Sequence, residues 1–185
     1  MDPIAINLEF TPNPNTLKFV VNRTLVERGA VNFLEASKAS KSPLALKLFE
    51  IPGVSAVMLG THFVTITKNP TGDWDVLAER VPGVLETHLT DGKPVFDADF
   101  ELDTPVASDA SDVERKIREI LDTDIRPAVA MDGGDITFDR YEDGVVYLEM
   151  RGSCSSCAHS SATLKMGVET RLKDAIPEIK EVVQI

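Results

Sequence analysis

The chain has 185 residues, 43% of them hydrophobic and 26% charged, and carries a formal net charge of −11. That composition fits a globular protein of one medium domain or two small ones. Its acidity, with no clustered Lys and Arg, excludes a role that rests on neutralising nucleic-acid phosphates. No apolar run approaches the ~20 residues of a membrane span, so no membrane partner is expected.

The first residues, "MDPIAINLEF", lack the basic start and apolar block of a secretory signal and the Arg-rich character of a transit peptide. Strands are expected at "INLEF" and "TLKFVV", joined by the turn-rich "TPNPN". A helical stretch is expected near Ala30–Ser37. A second helix follows in "SPLALKLFEI", where Ser42 can cap and Pro43 suits the first turn. "VSAVMLG" and "HFVTITK" read as a hairpin. "GDWDVLAERVPGVLETHL" reads as a helix bent or broken at Pro82. These elements form a first domain over residues 1–91.

Residues 92–110 are rich in acids and small residues and are expected to form an extended, mobile linker, with a short strand at Val95–Phe96. The second domain, 111–185, opens on Ser111 and Glu114, spaced as a capping box. Its helix carries the apolar stripe Val113, Ile117, Ile120, Leu121 and Ile125. "DITFDRYEDGVVYLEMRG" is two strands around a turn. "SSATLKMGVETRLKDAI" is an amphipathic helix and "PEIKEVVQI" a closing strand. The expected fold class is α/β (α+β): two small domains, each a short, mostly antiparallel sheet packed by helices.

Both cysteines lie in "GSCSSCAHSS", as Cys154 and Cys157, between a strand and a helix. Two cysteines make no disulfide framework, so a reducing compartment is expected, where such a pair binds metal or does chemistry. A helix N-terminus favours the thiolate, the form that ligates or attacks. A thioredoxin-like dithiol oxidoreductase fits the spacing, but it normally sits on a βαβ unit, and here a hairpin precedes the pair. Structural zinc needs four ligands, and the chain offers two cysteines with His159 nearby. If two chains met at this loop, four thiolates would suffice for a cubane iron–sulfur cluster. On the residues alone, the redox pair and the shared cluster stand level. "DGGD", Asp132 to Asp135, reads as a tight turn between helix and strand, with the aspartates capping it. Trp74, His62 and His88 read as structural.

The phrases "RPAV…DGGD", "GSC-x-x-C" and "TLK-x-G-x-E" resemble the C-terminal domain of the NifU-like (Nfu) iron–sulfur proteins in order and spacing. "TPNPNTLKF", "SPLALKLFEIPGV" and "VTITK" followed by "DW" resemble that family's N-terminal domain. The resemblance implies a [4Fe-4S] cluster held by Cys154 and Cys157 of two subunits. It implies a scaffold or carrier and not an enzyme: a homodimer when cluster-bound, receiving from an upstream assembly scaffold and delivering to apo iron–sulfur client proteins. One departure is "CAHS" where the family often has "CPSS"; Ala158 removes a proline at the helix start, and His159 reads as a solvated side chain. The expected compartment is the bacterial cytoplasm, with the mitochondrial matrix the alternative if a presequence has been removed.

Overall fold

The structure is a computed structural model. It describes residues 3–100, 111–154 and 158–185, without the side chains of 158–164. The chain divides into two units, each with its own hydrophobic core.

The first unit is a five-stranded antiparallel sheet in the order β1-β2-β5-β4-β3. The strands are β1 Ile6–Phe10, β2 Thr16–Val21, β3 Ala30–Phe33, β4 Val54–Gly60 and β5 Phe63–Lys68. Helices α1 Pro43–Phe49 and α2 Trp74–Thr90 bury Leu44, Leu48, Leu77, Val81 and Leu85 in one core with Leu17, Phe19, Val57, Leu59, Val64 and Ile66 of the sheet. Full burial of such side chains is worth about 1.5–3 kcal/mol each. On β2, Leu17, Phe19 and Val21 point one way and Lys18 the other, as strand alternation requires. Lys18 is nonetheless almost covered, its Nζ 2.9 Å from Glu9 Oε2 across the strand pair.

Three expectations are corrected here. Ala30–Phe33 is not helical but the edge strand β3, paired with β4; only Ala36–Ala39 makes a short 3-10 turn. The expected helix is present, and of the bend or break at Pro82 the break is absent: α2 runs from Trp74 to Thr90 and buries Val81 just before the proline and Leu85 three residues after it. Residues 93–100 contain no strand and are bound to the first unit. Val95 O accepts from Ser42 Oγ at 2.8 Å and Asp97 N–H donates to Lys41 O at 2.9 Å. Pro94 O accepts from Nε2 of the buried His88 at 2.9 Å, and Val95 and Phe96 lie on the core. The expected linker therefore does not begin at 92, and residues 101–110 lie outside the described ones. Trp74 packs on the same core and donates from Nε1 to Pro14 O at 3.0 Å.

The second unit begins with α3 Asp112–Ile120, started by the expected box: Ser111 Oγ accepts from Glu114 N–H, and Glu114 Oε2 accepts from Ser111 N–H at 2.8 Å. One π-type turn, Leu121–Ile125, links it to α4 Arg126–Met131, where Pro127 sits in the first turn. Ile117, Leu121, Ile125 and Val129 face the core. The sheet order is β6-β7-β8, with β6 Gly134–Glu142, β7 Val145–Gly152 and β8 Glu181–Gln184. β6 and β7 form a hairpin through Asp143 and Gly144, both at positive φ (51° and 89°), the signature of a tight two-residue turn. A bulge lies between Phe138 and Arg140. α5 Ala158–Ala175 then crosses over, and β8 pairs with β7 in parallel.

Candidate functional site

The second unit's sheet and helices converge on the end of β7. Gly134, the first residue of β6, pairs with Gly152, the last of β7. Before it, α4 is stopped by a turn: Asp132 N–H donates to Val129 O and Gly133 N–H to Ala130 O, with Gly133 at φ 73°. The expected turn at Asp132–Asp135 is therefore present. Its aspartates do not both cap it, however: Asp132 is exposed, and Asp135 is buried under Arg126.

Beyond Gly152 (φ 67°) the chain folds back on that turn. Ser153 N–H donates to Gly133 O at 3.2 Å and Ser153 Oγ donates to Asp132 O. These two bonds fix the residue before Cys154. Cys154 is only 4% exposed; its Sγ is 3.8 Å from Ser153 Oγ, and it belongs to the same buried cluster as Val168 and Leu172 of α5. Sγ lies directly over Gly134, in space that any Cβ at Gly134 would occupy.

Arg126 organises the other side of the turn. Its Nε donates to Ile136 O at 2.9 Å and lies 3.4 Å from Asp135 Oδ1, while Nη1 donates to Asp122 Oδ1 at 2.7 Å. Asp135 Oδ2 is buried with no hydrogen-bond partner among the described residues. Burial pushes the Asp135 carboxyl above its usual pKa, and the Arg126 charge only partly offsets this.

Of the two sequence-predicted site residues, the structure places Cys154 at the junction of β7 and α5; Cys157 lies outside the described residues. His159 lies in α5, with its side chain likewise outside them. Among the described residues, no three His, Cys, Asp or Glu side chains gather as a metal site. Cys154 has the donor chemistry of an iron–sulfur ligand. The parallel pairing of β7 and β8 through α5 also supplies a βαβ unit, so the objection to a redox pair on that ground falls away. Sequence reasoning missed Gly134 and Arg126. A glycine doublet was visible, but its neighbour Cys154 is 20 positions away.

The fold and the thiol junction define a two-domain α+β protein whose C-terminal unit presents a cysteine between strand and helix. Two family descriptions match it: "Scaffold protein Nfu/NifU N terminal" over residues 6–92 and "NifU-like domain" over residues 117–183. The chain belongs to the Nfu-type, NifU-like family. Proteins from Drosophila grimshawi and Drosophila virilis, each named "NFU1 iron-sulfur cluster scaffold homolog, mitochondrial", are 42% identical over 182 residues, or 97% of this chain. The chain spans 61% of the length of those relatives. Among solved structures, the solution structure of a NifU-like protein from Saccharomyces cerevisiae is 27% identical, covering 54% of this chain and 92% of that one with a TM-score of 0.46.

Proposed function

We propose that this chain is an iron–sulfur cluster scaffold or carrier. It binds a [4Fe-4S] cluster between two subunits through Cys154 and Cys157 of each and passes it to apo-proteins. The observation that carries the reading is the thiol of Cys154, held by an ordered turn at the β7–α5 junction in a chain of this family. The relatives' printed name, an iron–sulfur cluster scaffold homolog, supports it.

The cluster is cargo here. The protein's work is to present sulfur and keep it available for exchange. One chain contributes two cysteines, short of the four thiolates that a cubane takes, so cluster and partner arrive together. Ligation shared in this way suits release to a client, because separating the two chains leaves neither able to hold the cluster. The role needs no acid–base chemistry at the site, so the protein is not an enzyme in this reading. Its partners are a second copy of itself, an upstream assembly scaffold and apo iron–sulfur clients. The names of the relatives give no support to a bacterial cytoplasm; the compartment we carry forward is the mitochondrial one.

Anaerobic reconstitution tests the reading. The expected product is brown, dimeric in solution and loaded with about four irons per dimer, as one shared cubane requires. Cys154→Ala and Cys157→Ala each abolish the colour and the transfer to an apo-client. A double cysteine variant that still retains a cluster overturns the assignment. The βαβ unit keeps one rival open, a dithiol oxidoreductase on the same pair. Turnover of a disulfide substrate by iron-free protein, with a reversible bond between Cys154 and Cys157, would favour that rival instead.

A further inference from the structure

Gly134 opens β6 opposite Gly152, and its backbone does not need a glycine: unlike Gly133 and Gly152, it is not in the left-handed region. Its missing side chain has another explanation. A Cβ built there would overlap Cys154 Sγ outright and would lie 3.1 Å from both Cys154 Cβ and Arg151 O. These crowded atoms belong to the thiol residue and to the strand that delivers it. Gly83 offers a contrast, since a Cβ there meets nothing within 4 Å.

The cysteine's backbone is meanwhile fixed on the same turn. Ser153 is tied to Gly133 O and Asp132 O, so residue 154 cannot simply back away. Two tethers set the backbone, and one vacancy takes the sulfur. We propose that Gly134 is a positioning residue for the Cys154 thiol: its bare Cα forms the seat against which Sγ rests, and this seat sets the direction in which the sulfur is offered to a ligand.

The chemistry of a substitution follows from which atom can yield. The φ at 134 accepts alanine, and the one atom that overlaps outright is the sulfur, the end of a one-bond side chain that can rotate; Arg151 O and Cys154 Cβ, at 3.1 Å, need give only a few tenths of an ångström. Gly134→Ala therefore leaves the fold close to intact and turns Sγ out of its seat. A thiol loses the inertness of burial when it is moved towards solvent. An iron–sulfur ligand whose sulfur points elsewhere fails to meet the geometry that four thiolates share.

The inference rests on the cluster reading for its consequence but not for its test. In the metal-free full chain with Cys157→Ala, Cys154 is the only thiol. Its alkylation rate is followed by mass spectrometry with and without Gly134→Ala, and Gly83→Ala serves as the control. The expected result is a several-fold faster alkylation for Gly134→Ala and none for Gly83→Ala, with far-UV circular dichroism unchanged. On the Cys157-containing chain, Gly134→Ala reduces the cluster absorbance after reconstitution and speeds its bleaching in air. An alkylation rate equal to that of the parent overturns the proposal, whatever happens to the cluster. If Gly134→Ala fails to fold, Cys154→Ala is added: recovery of folding supports the seat, because removing Sγ removes the overlap, and continued misfolding overturns it. A parent protein that takes up no cluster, together with a faster thiol in Gly134→Ala, rejects the cluster reading and leaves the seat standing.

Discussion

Arg126 lies 3.4 Å from Asp135 through Nε and Oδ1, yet this contact does not satisfy the aspartate: the other oxygen, Oδ2, is buried with no partner among the described residues. Desolvation outweighs the guanidinium's attraction, and the carboxyl is held above its ordinary value. The native state thus binds this proton more tightly than the unfolded chain does. The group's contribution to stability is present below the unfolded value of 3.8 and is lost as pH rises through the raised native value. Asp135→Asn removes the titrating charge. Between about pH 4 and pH 7, urea unfolding should show the variant gaining stability relative to the parent as pH rises. A difference that does not change with pH contradicts this account.

Ser42 does two jobs with one hydroxyl. Its Oγ accepts from Ala45 N–H at 3.2 Å, capping α1, and donates to Val95 O at 2.8 Å, holding the strap of residues 93–100. Ser42 is fully buried, whereas Ser111, the cap of α3, is exposed. Ser42→Ala is therefore expected to cost about 2 kcal/mol, adding an unpaired, half-buried carbonyl to a lost cap. Ser111→Ala is expected to cost about 0.5–1 kcal/mol. Chemical denaturation of both variants measures the ordering.

At the β6–β7 hairpin, Gly144 has φ 89°, and a Cβ there would lie 2.9 Å from the Lys180 side chain and 3.0 Å from Glu178 O. Gly92 also has positive φ (64°) but opens onto free space. Alanine at Gly92 meets only the conformational cost of about 1–2 kcal/mol. Alanine at Gly144 adds a clash with backbone to that cost, and a larger loss of stability is expected. Equal losses in the two variants would show that the segment before β8 yields freely.

Leu148 sits mid-way along the central strand β7, fully buried and flanked by β6 and β8. Leu148→Ala is expected to cost about 2–5 kcal/mol through lost burial and a residual cavity. Differential scanning calorimetry should show the loss, and Leu148→Met, close in volume, should recover most of it.

The parts of this architecture that were legible in the sequence are those encoded within a few residues. The capping box of Ser111 and Glu114 and the cap of α1 by Ser42 and Pro43 are examples. So are the hairpins, whose alternation and turn residues lie side by side. What was not legible depends on distant partners. Ala30–Phe33 is a strand because β4 offers it a free edge, although the order in which its residues occur carries no strong strand signal. Pro82 sits inside a continuous helix because burial of Val81 and Leu85 on either side holds α2 together despite the missing donor. The acidic residues after position 92 suggested a solvated chain, yet Val95 and Phe96 among them are anchored by Ser42, 53 positions from Val95. At the site, C-x-x-C announced itself, but the glycine beneath its first sulfur did not.

The parallel pairing of β7 and β8 also sets an order of events in time. The β6–β7 hairpin closes through a two-residue turn and joins neighbours in the chain. β8 reaches β7 only across the whole of α5, which brings Val182 beside Val146. Local closure is fast and long-range closure slow. Cys154 shares its buried cluster with Val168 and Leu172 of α5, so its cover depends on that crossover closing, and a chain whose α5 has not yet docked leaves the thiol open to oxidation.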